Sequence, residues 1–137
     1  MYGGAICLGA ALSETGAAQW IAGQTLARWV SNPILIVLIV SFAAYILTEV
    51  MSNSAVVAAL MPMAIPIGAA AGIDARLMVY VIAIPAGLGF ALPMGTPANA
   101  IAYSSGYVLR RDMYLPGFLF GLLSWIIFNI IAIFWLK

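Results

Sequence analysis

Two short polar runs interrupt an otherwise apolar chain, and both carry side chains suited to holding small ions. The first is Thr48-Glu49-Val50-Met51-Ser52-Asn53-Ser54. The second is Pro93-Met94-Gly95-Thr96-Pro97-Ala98-Asn99-Ala100. A helix that begins at Ser52-Asn53-Ser54 leaves backbone N–H groups free. Its dipole favours a negative group there, and the Ser and Asn side chains add neutral hydrogen bonds. The helix that ends at the same point aims free carbonyls at it. Carbonyls and hydroxyls suit a small alkali cation, so an anion and a cation can sit side by side at one break. The second run follows the same logic. Gly95 lets backbone approach closely. Pro93 and Pro97 stop a helix and free upstream carbonyls. Thr96 and Asn99 supply neutral polar groups, with Asn99 a candidate cap for the helix that follows. A proline kink satisfied locally by Thr and Asn would explain the second run taken alone. Two runs of matching character favour a site.

Glu49 is the one carboxylate beside a break. An ionisable group in a membrane segment is a functional hypothesis by default. It can serve a cation site, carry a proton, pair with a base, or orient the hairpin tip; a supporting role is favoured. Glu14 lies in Ser13-Glu14-Thr15-Gly16, which reads as a local helix break or an interfacial turn. Gly87 and Gly89 read as small residues that allow close helix packing.

The elements that hold these runs follow from composition. Apolar residues make up 66% of the chain and charged residues 7%, and the mean hydropathy is +1.15. Soluble domains carry about 25% charge. No charged residue occurs across 29–48, 50–73, 77–109 or 113–136. Each gap reaches the roughly 20 residues that cross a hydrocarbon core. The chain therefore reads as an all-α integral membrane protein, multi-pass, in the cell (inner) membrane and in contact with the lipid bilayer. No basic patch supports nucleic-acid binding. With no histidine and one cysteine, Cys7, zinc and haem sites gain no support, and no cofactor is expected. No nucleophile–base pair is visible, so an enzyme is disfavoured.

The whole chain, 1–137, reads as one membrane domain. Residues 3–30 form a first helix, with Trp29 beside Arg28 near the interface. Asn32 and Pro33 cap and start the next. Residues 33–71 make a hairpin with its tip at 52–54, its second arm bent by Pro62 and Pro66. Either both arms cross the membrane fully, or the hairpin is re-entrant and its tip stops at mid-depth. The tip has no Lys, Arg, Asp or Gly, which favours re-entrance. Asp74 caps the next segment. An unbroken helix over 77–109 would be about 50 Å long, too long for a modestly tilted span. A break at 93–99 resolves this, and discontinuous helices recur in transporters. A last helix covers 115–136. Arg110 and Arg111 mark a cytoplasmic loop by the positive-inside tendency, so the hairpin enters from outside.

Ser52-Asn53-Ser54 after Leu47-Thr48-Glu49, together with Leu92-Pro93-Met94-Gly95-Thr96-Pro97-Ala98-Asn99-Ala100-Ile101, resembles the second repeat of the divalent anion/sodium symporter family. Gly3-Gly4-Ala5, Leu8-Gly9 and Glu14-Thr15-Gly16 resemble the helix that precedes its hairpin. That family carries dicarboxylates, citrate or sulfate. Its superfamily also contains arsenite permeases. The resemblance implies secondary active transport of a di- or tricarboxylate or similar anion, coupled to sodium, by elevator-type alternating access. It implies substrate contacts at Asn53, Ser54, Thr96 and Pro97. It implies a sodium site at Thr48, Ser52, Asn53, Gly95 and Pro97, largely through backbone carbonyls, with Glu49 and Asn99 in support.

Two departures stand out. Ser54 replaces the family's threonine, keeping the hydroxyl and losing a methyl. One repeat is present where the family has two inverted halves. The expected partner is thus an N-terminal half, or a second copy of this chain, besides the small anionic substrate. The other readings are an arsenite-type or proton-coupled permease half, in which Glu49 carries the coupling, and a non-transporting membrane interaction fragment.

Overall fold

A computed structural model of the protein describes residues 7, 11, 14–17, 20 and 32–136. Most of the expected first helix, 3–30, lies outside the described residues. Within it, Gly16 has φ +71°, and Thr15 Oγ1 donates to the Ala11 carbonyl at 2.6 Å. The Glu14-Thr15-Gly16 run thus contains a turn, with Glu14 exposed. Cys7 is exposed too.

Five helices follow: α1 Pro33–Val50, α2 Asn53–Ala70, α3 Ala75–Ala86, α4 Pro97–Ser104 and α5 Arg110–Trp135. The N-terminal caps of α1 and α3 fall where the sequence places them. Asn32 Oδ1 accepts from the Ile34 N–H at 3.0 Å, with Pro33 opening the helix. Asp74 Oδ1 accepts from the Arg76 N–H at 2.6 Å. Among the described residues α1, α2 and α5 are long and apolar enough to cross a membrane.

Three boundaries differ from the sequence reading. The broken segment leaves helical geometry earlier than 93: α3 stops at Ala86 and α4 starts at Pro97, so the break runs 87–96. The reason is Gly87 and Gly89, which are not helix-packing glycines. Gly87 caps α3, its N–H bonded to the Ile84 carbonyl at 3.0 Å, and Gly89 lies in the irregular segment. Asn99 does not cap α4. Thr96 does, its Oγ1 accepting from the Asn99 N–H at 3.2 Å. The last helix begins at Arg110 rather than 115. Asp112 in its first turn accepts from the Leu109 N–H at 3.3 Å, and Pro116 is carried inside the helix. α2 likewise stays helical through Pro62 and Pro66.

α3 packs against α1 and α2, and α5 against α1 and α3. The core among the first three is aliphatic: Ile36, Val37, Val40, Val56, Leu77, Met78, Val81 and Ile82 are almost fully enclosed. Gly68 of α2 makes room for Met78, whose side chain occupies the space a Cβ would need. The α1–α5 contact is polar at its centre. Trp125 Nε1 donates to Ser41 Oγ at 3.0 Å. Ser41 Oγ in turn donates to Asn129 Oδ1 at 3.0 Å. Asn129 Nδ2 donates to the Trp125 carbonyl at 2.9 Å. One turn further along α1, Tyr45 donates to the Phe118 carbonyl at 3.1 Å. Such bonds join helices where lipid offers no hydrophobic drive for association. Gly121 lies against the Tyr45 ring, and Gly117 against the Phe90 and Ala91 backbone. α5 thereby reaches the break itself. α4 is different: none of its residues is buried, and Ile101 is 71% exposed.

Candidate functional site

The end of α1, the start of α2 and the 87–96 break meet at one place. Ser52 caps α2, its Oγ accepting from the Ala55 N–H at 3.4 Å. The chain turns through Met51 and Ser52 in extended conformation. The final turn of α1 closes with the Met51 N–H on the Leu47 carbonyl at 2.9 Å. The Thr48 carbonyl is therefore left facing the second break. A Cβ on Gly89 would lie 3.0 Å from Thr48 O. A Cβ on Gly95 would lie 3.0 Å from Gly89 O, 3.3 Å from Thr48 O and 3.4 Å from Leu92 O. Three carbonyl oxygens from two separate breaks thus converge beside Gly95, where a side chain would be tight against all three. Neutral oxygens of this kind suit a hard cation.

Thr48 Oγ1 is buried against the Ala86 carbonyl and stands 2.9 Å from Asn53 Oδ1. A hydroxyl has one hydrogen to give, and a carbonyl only accepts. Turning over the Asn53 carboxamide, whose O and N positions are interchangeable by a flip, presents Nδ2 to Thr48. All three groups are then satisfied, and the Asn53 oxygen is free for a ligand.

Glu49 is 7% exposed and faces backbone. Its Oε2 accepts from the Ala91 N–H at 3.1 Å and the Leu92 N–H at 3.0 Å. It holds the middle of the break to α1. Asn99 holds the same stretch from α4: its Nδ2 donates to Gly89 O at 3.0 Å and Leu92 O at 3.1 Å. Among the described residues no buried side-chain polar atom lacks a partner.

Thr48, Asn53 and Gly95 are thus brought together directly. Ser52 is exposed and Ser54 half-buried at the start of α2; Thr96 is half-buried and Pro97 exposed at the start of α4. No hydrogen bond joins these two helix starts among the described residues. Missing from the sequence reading are the carbonyls of Ala86, Gly89 and Leu92, which have no side-chain signature. Gly89 had a signal, as one of two glycines just after Pro85. Gly89→Ala is expected to force Thr48 and the break apart, because the obstructing atom is backbone. Overpacking of this sort costs about 1–3 kcal/mol; thermal unfolding of the purified protein checks it.

A family model described as the sodium:sulfate symporter transmembrane region matches residues 1–137. The chain belongs to this family. The family is one of transporters, not enzymes, and the protein is integral to the membrane and multi-pass. Among its relatives is the sodium-dependent dicarboxylate transporter SdcS of Staphylococcus saprophyticus, 30% identical over 134 residues, 98% of this chain and 26% of the relative. The protein of the same name from Staphylococcus aureus is 33% identical over 132 residues, 96% of this chain and 25% of the relative. The chain spans about a quarter of the length of these relatives.

Proposed function

We propose that this chain supplies the C-terminal half-site of a sodium-coupled transporter for a dicarboxylate, tricarboxylate or similar anion in the cell membrane. The observation that carries the reading is the meeting of two non-helical segments, the second held by Thr48 and Glu49 at the end of α1 and by Asn99 in α4. Irregular backbone at membrane depth survives only when buried in protein or lining a wet cavity. Here Glu49, Thr48 and Asn99 tie it down, and the carbonyls that converge beside Gly95 are the part offered to a cation.

In this reading α1 and α2 form a re-entrant hairpin with Ser52-Asn53-Ser54 at its tip. Sodium is bound and carried at Thr48 O, Asn53 Oδ1 and the backbone beside Gly95, with Ser52 and Pro97 completing the shell. The anion is held by Asn53 and Ser54 at the start of α2 and by Thr96 and Pro97 at the start of α4. Both starts offer N–H groups and dipole ends of matching sign to a carboxylate. Neutral donors bind the anion without a buried fixed cation, so the sodium supplies the charge balance and each ligand favours the other. The exposed face of α4 and the open side of the site fit a partner, either an N-terminal half or a second copy of the chain. The hairpin and the broken helix, tied together through Glu49 and Asn99, move as one body past a scaffold to expose the site to each side in turn.

Uptake of a labelled dicarboxylate by the assembled transporter tests this. Replacing sodium by choline is expected to abolish uptake. Asn53→Ala and Thr96→Ala are expected to do the same at unchanged protein levels. Normal sodium-driven uptake in both variants would refute the site, and uptake unaffected by choline would refute sodium coupling.

A further inference from the structure

Asn99 bonds two carbonyls of the break through its side chain while its own backbone sits in the first turn of α4. Its Nδ2 bridges Gly89 O and Leu92 O at 3.0 and 3.1 Å. Its N–H is held by Thr96 Oγ1 at 3.2 Å. Each of the two carbonyls leads onward to α1. Gly89 lies against the Thr48 carbonyl, where a methyl group would be tight at 3.0 Å. The Leu92 N–H is bonded to Glu49. A continuous hydrogen-bonded and packed path therefore runs from Thr48 O through Gly89 to the Asn99 carboxamide, and from there to Thr96. One end is the proposed cation position and the other the proposed anion position.

The chemistry of the carboxamide matters. An NH2 group gives two hydrogens and can serve two carbonyls at once. Both acceptors converge beside Gly95, where their like dipoles repel. The Gly95 N–H serves Leu92 O at 3.1 Å, while among the described residues the Asn99 carboxamide is the donor to Gly89 O. Asn99 neutralises that repulsion from the α4 side, much as a cation would from the Gly95 side. A shift of Gly89 O or Thr48 O when sodium binds is thereby felt at the start of α4, the proposed anion position.

We propose that Asn99 is a positioning residue that couples the two ligands: through the Gly89 and Leu92 carbonyls it transmits sodium occupancy at Thr48 to the anion-binding start of α4. This deepens the reading above and rests on it. Coupling is reciprocal, so each ligand raises the affinity of the other by the same factor.

The test measures succinate affinity of the assembled transporter at limiting and at saturating sodium, in wild type and in Asn99→Ala. In wild type, sodium raises succinate affinity by a definite factor. In Asn99→Ala that factor falls by about tenfold or more, within the usual range of site-to-site coupling. Stabilisation by sodium alone persists, because Thr48 and Asn53 are intact. A purely structural role would lower melting temperature and maximal rate and leave the factor unchanged, and that result overturns the proposal. Asn99→Asp, equal in size and without a donor, is the second variant should the alanine form accumulate poorly, and it is expected to lose the coupling as well. A wild type whose succinate affinity ignores sodium would instead overturn the functional reading and this proposal with it.

Discussion

Glu49→Ala is expected to destabilise the purified protein more than truncation of any other polar side chain at the site. The carboxylate is enclosed, and its partners are the Ala91 and Leu92 N–H groups of the break. Truncation leaves two enclosed donors without an acceptor. Each such group costs roughly 1–3 kcal/mol, and a bond to a charged acceptor sits at the upper end of hydrogen-bond contributions. An enclosed donor left without a partner pays the full cost of its lost hydrogen bond. Glu49→Gln separates the causes. It keeps the shape and one oxygen acceptor, so it should retain much of the stability while losing the negative charge beside the proposed cation position. Thermal unfolding of both variants, with and without sodium, reads the two effects apart. A Glu49→Ala protein as stable as wild type would mean that the break is not held by this carboxylate.

Gly117→Val should be nearly as damaging, and for a packing reason. A Cβ at position 117 would run into the Phe90 carbonyl and lie 2.7 Å from the Ala91 Cα. Those atoms are backbone, and Glu49 pins the Ala91 N–H from the other side. Neither surface can give way, so α5 must lift off the break. The displacement would also strain the Trp125–Ser41–Asn129 bonds and the Tyr45–Phe118 bond along the same interface. Overpacking in a filled core costs about 1–3 kcal/mol, and a branched side chain at a backbone contact belongs at the high end. Transport should fall with it, since Ala91 is four residues from Gly95. Leu119→Ala, two positions along on the exposed side of α5, should change neither stability nor uptake. Equal behaviour of the two variants would mean that α5 does not brace the break.

The polar runs were legible in the sequence because Ser, Asn, Thr and Glu are conspicuous among 66% apolar residues. Caps were legible where one residue type has one local job, as with Asn32 and Asp74. Extent was harder to read. Gly87 and Gly89 look the same in a sequence whether they ease helix packing or begin a break. The choice was made by a tertiary contact, the Thr48 carbonyl against Gly89. The last helix, expected over 115–136, begins at Arg110 because Asp112 anchors the first turn of α5, and Pro116 is carried inside it. Asn99 and Thr96 are both plausible caps three residues apart. Thr96 took the cap, which released Asn99 for the carbonyls of the break. Those carbonyls belong to Gly89 and Leu92, whose side chains say nothing about ion binding. A site built from backbone is visible only once the chain is folded.

The most direct test of the central claim, that the two breaks form one site for a cation and an anion, is ligand-dependent thermal stabilisation of the assembled transporter. Succinate is expected to raise the melting temperature only when sodium is present, and Asn53→Ala and Thr96→Ala are each expected to remove that increment. Stabilisation by succinate in choline, or an increment that survives in both variants, would contradict it.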